Sequence, residues 1–439
     1  MIRQPAKGNR RQAADGRQQA RGKTRRVATA TLVGALALLT GVSRAEEPPK
    51  LAFVVGKVLV MDKADTVINN AVVLVSGGRI EKVGKANEMA IPQGYRRIDL
   101  PRHWIVPGFV DCHNHTAGSL SDLNDMVYLT NPGLDTLNTV QPESDDMWMA
   151  RAGGVTTVLL IPGSGTNISG FGTISKTAGQ SVSDVVVRSP GSIKVAQAGN
   201  PERYWWGVGR MFMNFNTRQT LEKAQAYHEA WEKFERGETT EKPAFDPIFD
   251  GFRGLFRKEF VASVHTQIYQ VVMTTVDMLA RKMDLRTVLD HSEFDGWKVA
   301  PLIREALAAG RSIYTIQGPR AYHLDGTQRK IHGNAARWWQ AGNPLLGINT
   351  DAPVVAQEQL PFQAAMGCYY GWVPYEGIKG LTRIPAEALL LDDQIGTIEA
   401  GKQAEFGVWT GDPLDTRSAC EMTVIGGRIV YDANVRRRW

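Results

Sequence analysis

From about Ile105 to Pro385 the chain alternates two kinds of segment, and few architectures accept that alternation over such a length. The apolar runs are WIVPGFVDCH, GVTTVLLIPG, SIKVAQAG, EFVASVHTQ, TVLDHS, SIYTIQG and PLLGINTDA; helical patterns such as Leu221 to Arg236 and Ala300 to Ala309 lie between them. Strand, helix and strand in succession is the sequence form of a parallel βαβ unit. So many units across about 280 residues favour closure into a (β/α)8, or TIM, barrel over an open sheet.

The flanks read differently. LAFVVGKVLVM and NNAVVLVSGGRIEKVG alternate β-branched residues around a Gly77-Gly78 turn, and EFGVWTGDPL with MTVIGGRIVY repeats the style around Gly426-Gly427. These flanks predict a small β-sandwich assembled from residues 50–106 and 386–439, with the barrel, residues 107–385, inserted between them.

The net charge of +6 would suit a nucleic-acid partner, but its distribution does not. Residues 1–45 hold ten Lys or Arg against one acid, Asp15, which leaves 41 basic and 44 acidic residues in the remainder, a net of −3. A body of that charge has no general attraction to phosphate backbones. The basic head runs into an apolar stretch, Val27 to Val42, and then Ser43-Arg44-Ala45, the order of a secretory signal peptide. Residues 1–45 are therefore expected to direct export to the periplasm or beyond, by the general or the twin-arginine route. The apolar stretch falls short of the ~20 residues of a spanning helix, so no stable membrane association is expected once the leader is gone. Cys112, Cys368 and Cys420 are too few and too scattered for a disulfide framework or a cysteine zinc site.

The segment Pro107-Gly108-Phe109-Val110-Asp111-Cys112-His113-Asn114-His115 ends the first barrel run. Residues two apart on a strand share a face, so His113 and His115 can offer both imidazoles to one ion at the C-terminal mouth, where barrel enzymes keep their chemistry. His265 closes EFVASVH, His291 closes TVLDH and Asp351 closes LLGINTD, each where an apolar run meets polar residues. Five residues of ligand type at one topological position are hard to attribute to ordinary core or capping histidines. His103, His228, His323 and His332 lie elsewhere and read as solvated or structural, with His323 a loop residue able to reach substrate.

With PGFVDCHNH, GVTTV, SVHTQ, LDHSEF, INTDAPV and the closing GTIEAGKQAEFGVWTGDPL and VIGGRIVY in view, the chain resembles the amidohydrolase superfamily, most closely its imidazolonepropionase-like and Xaa-Pro dipeptidase-like branch. The resemblance implies a metal-dependent barrel with a terminal β-sandwich. It makes His113 and His115 the strand-one ligands, His265 and His291 those after strands five and six, and Asp351 the carboxylate that contacts metal and takes a proton from the attacking water. Lys194, in GSIKVA, resembles the carbamylated lysine that bridges two metals in many relatives, with Lys176 as second candidate and a single metal as the alternative.

The implied cofactor is one or two divalent ions, Zn2+ first and Mn2+, Fe2+ or Co2+ as alternatives. The implied reaction is hydrolysis of an amide, cyclic amide or small peptide. Phosphoesterase or lactonase chemistry and a noncatalytic metal-binding relative are the rival readings. The segment Asn200 to Arg218 follows the fourth strand, and Tyr204 and Arg210 within it are the candidate substrate contacts, the arginine as a carboxylate clamp.

Overall fold

The computed structural model describes residues 47–437, so the leader expected over residues 1–45 lies outside the described residues. Four strands come first: β1 (Leu51–Leu59), β2 (Val67–Ser76), β3 (Arg79–Lys85) and β4 (Arg96–Pro107). Then follow β5 (Phe109–Asn114), β6 (Val155–Leu160), β7 (Ile168–Lys176), β8 (Val186–Ala196) and β9 (Val261–His265). After them come β10 (Thr287–Asp290), β11 (Ile313–Gln317), β12 (Tyr322–Asp325), β13 (Lys330–Gly333) and β14 (Leu346–Ile348). The last three are β15 (Phe406–Trp409), β16 (Cys420–Ile425) and β17 (Arg428–Asp432).

Both ends of the described chain share one seven-stranded sheet, ordered β17-β16-β15-β4-β1-β2-β3. The period-two pattern of β1 explains its two buried faces. Leu51, Phe53 and Val55 join Val73, Val75, Phe406 and Val408 in one core, while Ala52 joins Val72, Leu74 and Met89 in another. The Phe53 and Phe406 rings meet edge to face at 5.2 Å, locking a strand from each end of the chain together.

The middle forms an eight-stranded sheet ordered β14-β11-β10-β9-β8-β7-β6-β5, and its two edges approach closely enough to make it a nearly closed barrel. Asn114 bridges Ala352 in parallel sense, and the His115 amide donates to the Ala352 carbonyl at 3.0 Å. Inside this seam the Asp111 carboxylate accepts from the Thr350 amide (3.1 Å), the Thr350 hydroxyl (2.6 Å) and Gln357 Nε2 (2.7 Å). Burial pushes the Asp111 carboxyl up, and these donors oppose that shift.

One strand departs from the expected all-parallel pattern. β7 runs antiparallel to both β6 and β8, making a three-stranded meander inside the barrel. The cause is connection length: only residues 161–167 separate β6 from β7, and a parallel crossover takes a dozen or more. That short turn is buried beneath the segment after β5, with the Gly163 amide on the Leu123 carbonyl (2.8 Å) and the Gly165 amide on Asn124 Oδ1 (3.0 Å). No helix among the described residues is long and apolar enough to cross a membrane.

Candidate metal centre

Strand alternation sends Cys112 outward, where its thiol meets the Pro385 carbonyl, and leaves Asp111 and His113 facing the interior. From there the structure gathers side chains from five strand ends. His113 Nε2 stands 3.2 Å from Asp351 Oδ1, and His115 Nε2 reaches the same oxygen at 3.2 Å. The His113 ring centroid lies 4.6 Å from His291, which lies 4.5 Å from His265. Lys194 Nζ approaches His113 Nε2 at 3.3 Å. His113, His291 and Asp351 each offer a donor atom, all within 4.8 Å of one another, as one ion requires. Of the expected ligand set, His113, His291 and Asp351 have the donor spacing of one ion, with His115, His265 and Lys194 as their immediate neighbours.

Two of them hold unusual backbone. His291 (φ 67°) and Asp351 (φ 50°) are left-handed without being glycine, a conformation costing on the order of 1–3 kcal/mol that the surrounding fold must impose. The imidazoles are fixed from behind: His115 Nδ1 meets the Ile161 carbonyl at 2.9 Å, and His291 Nδ1 meets the Gly318 carbonyl at 2.6 Å. At Gly318, with φ +134°, a Cβ would sit 2.1 Å from the Asn349 carbonyl oxygen, so only glycine fits there and lets its own carbonyl reach the His291 ring.

Burial dominates the protonation states. It drives His265 well below the usual histidine range, helped by His291, and His291 down to about 4, helped by His113. His115 is lowered by the same burial. His113 is buried too and faces Lys194, yet Asp290 and Asp351 prevail and raise it. Asp351 is held well below the carboxylate range by His113 and His115 against the pull of burial. Burial lowers the Lys194 ammonium. Both ring nitrogens of His265 and Nε2 of His291 are buried with no hydrogen-bond partner among the described residues. Buried imidazole nitrogens without a partner are costly unless a cation takes a lone pair, and beside the His113, His291 and Asp351 donors they fit a divalent metal.

Two buried acidic residues beside the cluster escaped sequence reasoning. Asp290 is fully buried, pairs with His113 Nδ1 at 3.2 Å and Lys194 at 3.7 Å, and accepts from Ser263 Oγ at 2.5 Å. It thus stands behind His113 as a carboxylate partner stands behind a metal-binding imidazole. Glu293, also buried, pairs with Arg320 at 2.6 Å; burial raises its carboxyl to about 7. The only sequence signal for either was proximity to His291.

The other expectations fall elsewhere. Lys176 lies on antiparallel β7, so its end of that strand points away from the mouth; there it pairs with Glu405 at 2.6 Å and donates to Thr157 Oγ1 at 3.1 Å, which removes it as a bridging ligand. Arg210 pairs with Glu202 at 3.1 Å, and Tyr204 is 57% exposed. Neither touches the histidine cluster among the described residues. His103 pairs with Glu421, His228 stacks on Phe256, and His323 bonds Asn334 while its ring lies 5.8 Å from Phe294.

Similarity to known proteins extends over most of the described chain. Residues 374–431 match the Amidohydrolase family model. Over 398 residues the chain is 22% identical to amidohydrolase tasK of Hapsidospora irregularis, covering 82% of this chain but only 40% of that relative's length. It is 24% identical to imidazolonepropionase of Pseudomonas putida (strain GB-1) over 373 residues, 78% of this chain and 88% of the relative. An amidohydrolase structure from Thermotoga maritima MSB8 superposes with a TM-score of 0.76 at 27% identity, over 87% of this chain and 100% of that one.

Proposed function

This chain belongs to the amidohydrolase superfamily, in its imidazolonepropionase-like branch, and from that premise we propose that it is a metal-dependent hydrolase of C–N bonds in amides, cyclic amides or small peptides. The observation that carries the proposal is the meeting of His113, His291 and Asp351 within 4.8 Å beside the unpartnered nitrogens of His265.

His113, His115, His265, His291 and Asp351 would hold the ion, with Zn2+ the first choice among the divalent metals that accept imidazole and carboxylate. When bound, the ion supplies a water whose pKa falls from 15.7 toward roughly 7, together with Lewis-acid polarisation of the carbonyl. His265, His291 and His115, all lowered by burial, are already neutral at pH 7 and need shed no proton to act as ligands; His113, raised by Asp290 and Asp351, gives up its proton more reluctantly. Lys194, buried and with its ammonium disfavoured, suits carbamylation, which would turn it into an anionic oxygen ligand for a second ion.

Asp351 is ionised at neutral pH, as a general base must be. It takes a proton from the attacking water and delivers it to the departing nitrogen. His113, backed by Asp290, keeps its orientation while that transfer occurs. The basic and apolar leader supports action outside the cytoplasm.

The test joins metal analysis of purified protein to a panel of N-acyl amino acids, dipeptides, cyclic amides, lactones and phosphotriesters. Bound divalent metal with turnover of at least one C–N class is expected. Turnover confined to lactones or phosphotriesters would reject the assignment.

A further inference from the structure

A second cation stands at the mouth, and nothing in the proposed chemistry uses it. Arg320 follows β11 on the loop whose Gly318 carbonyl holds the His291 ring. Its amide donates to Glu293 Oε1 at 2.8 Å and its Nη1 to Oε2 at 2.6 Å. Its guanidinium carbon lies 5.4 Å over the Phe294 ring. Glu293 and Phe294 are the second and third residues past His291, so the arginine is fixed to the same strand end as a candidate ligand.

This geometry differs from that of an ordinary surface arginine. The Glu293 side chain is completely buried while the Arg320 side chain is 51% exposed, and Nε and Nη2 of Arg320 have no hydrogen bond among the described residues. One edge of the guanidinium is thus tied down and one face rests on an aromatic ring, leaving donors open to solvent. A planar donor fork held rigid loses little entropy on binding and matches a carboxylate in shape and charge. Arg210, the arginine suggested by sequence, is bound instead to a partly exposed glutamate.

Building on the C–N hydrolase reading, we propose that Arg320, positioned by Glu293 and Phe294, is the specificity-determining residue that selects substrates carrying a carboxylate a few bonds from the scissile C–N bond.

The experiment uses the metal-loaded protein and matched substrate pairs, each N-acyl amino acid or dipeptide supplied as the free acid and as its C-terminal carboxamide. The quantity read is the ratio of kcat/KM for acid over carboxamide, measured in the parent, Arg320→Met, Arg320→Lys and Arg210→Met, each checked for metal content. A charged hydrogen bond predicts an acid preference of about tenfold or more in the parent. That preference should collapse toward one in Arg320→Met, recover in part in Arg320→Lys and persist in Arg210→Met.

A parent that treats acid and carboxamide alike overturns the inference, as does a preference that survives Arg320→Met or vanishes only in Arg210→Met. In those cases C–N hydrolysis itself still stands. If the metal-loaded parent turns over no pair but does open cyclic amides, this inference falls while C–N hydrolysis stands; if it turns over neither, the underlying functional reading fails and takes this inference with it.

Discussion

Asp351 combines three demands in one side chain: a left-handed backbone, contacts with two imidazoles at 3.2 Å, and an ionised carboxyl inside a largely buried site. Asp351→Asn keeps the shape and one oxygen donor but cannot accept a proton, so kcat should fall by roughly 10²- to 10⁴-fold. Metal content measured alongside should stay near that of the parent; unchanged turnover would contradict the proton-transfer role. His291 gives a pH prediction for the metal-free protein. Its folded-state pKa of about 4 lies below the ordinary 6.5, so between those values the unfolded chain binds more protons, and stability falls as the solution is acidified. Glu293, raised to about 7, works in the opposite direction. The informative quantity is therefore the difference between parent and His291→Asn in thermal melts across this window, and the variant should lose part of the acid sensitivity. Lys194→Ala should lower activity and regain part of it with added short-chain carboxylates, while mass spectrometry of intact native parent should show an increment of one CO2. The ligand-type residues were legible in the sequence because each ends an apolar run. Asp290 was hidden because simple alternation sends neighbours to opposite faces, and the left-handed turn at His291 cancels that rule.

At the scale of elements, the antiparallel β7 carries a polar link to the terminal sheet. Lys176, Thr157 and Glu405 form a buried triad in which Thr157 Oγ1 also approaches Glu405 Oε2 at 3.3 Å. Replacing one member strands a buried charge, so Lys176→Met should cost about 3 kcal/mol or more, read as the shift in a denaturant midpoint. Lys176→Met combined with Glu405→Gln should recover much of that loss; equal loss in the single and the double variant would mean that packing, not charge, is at stake. The alternation of runs and helical patterns made the barrel readable. β7 was not, because its Ser- and Gly-rich sequence makes no apolar run of the kind that marked the other strands, and its direction is decided only by the seven-residue connection.

Across the whole molecule, the barrel is closed by contacts far apart in sequence and braced by a sheet drawn from both ends of the described chain. β15 pairs with β4, and Trp409 packs its ring 5.4 Å from Phe109 at the first barrel strand. Deleting residues 386–439 uncovers the edge of β4 and the apolar face of Phe53 and Val55, so the truncated chain should lose its cooperative melt and aggregate. A soluble truncation with a sharp transition would show that the barrel stands without its brace. The tight turn at residues 161–167 has a mechanical consequence as well. With its Gly163 and Gly165 amides tied to Leu123 and Asn124, the turn and the segment after β5 are fastened into one unit, so a change that loosens either should loosen the other.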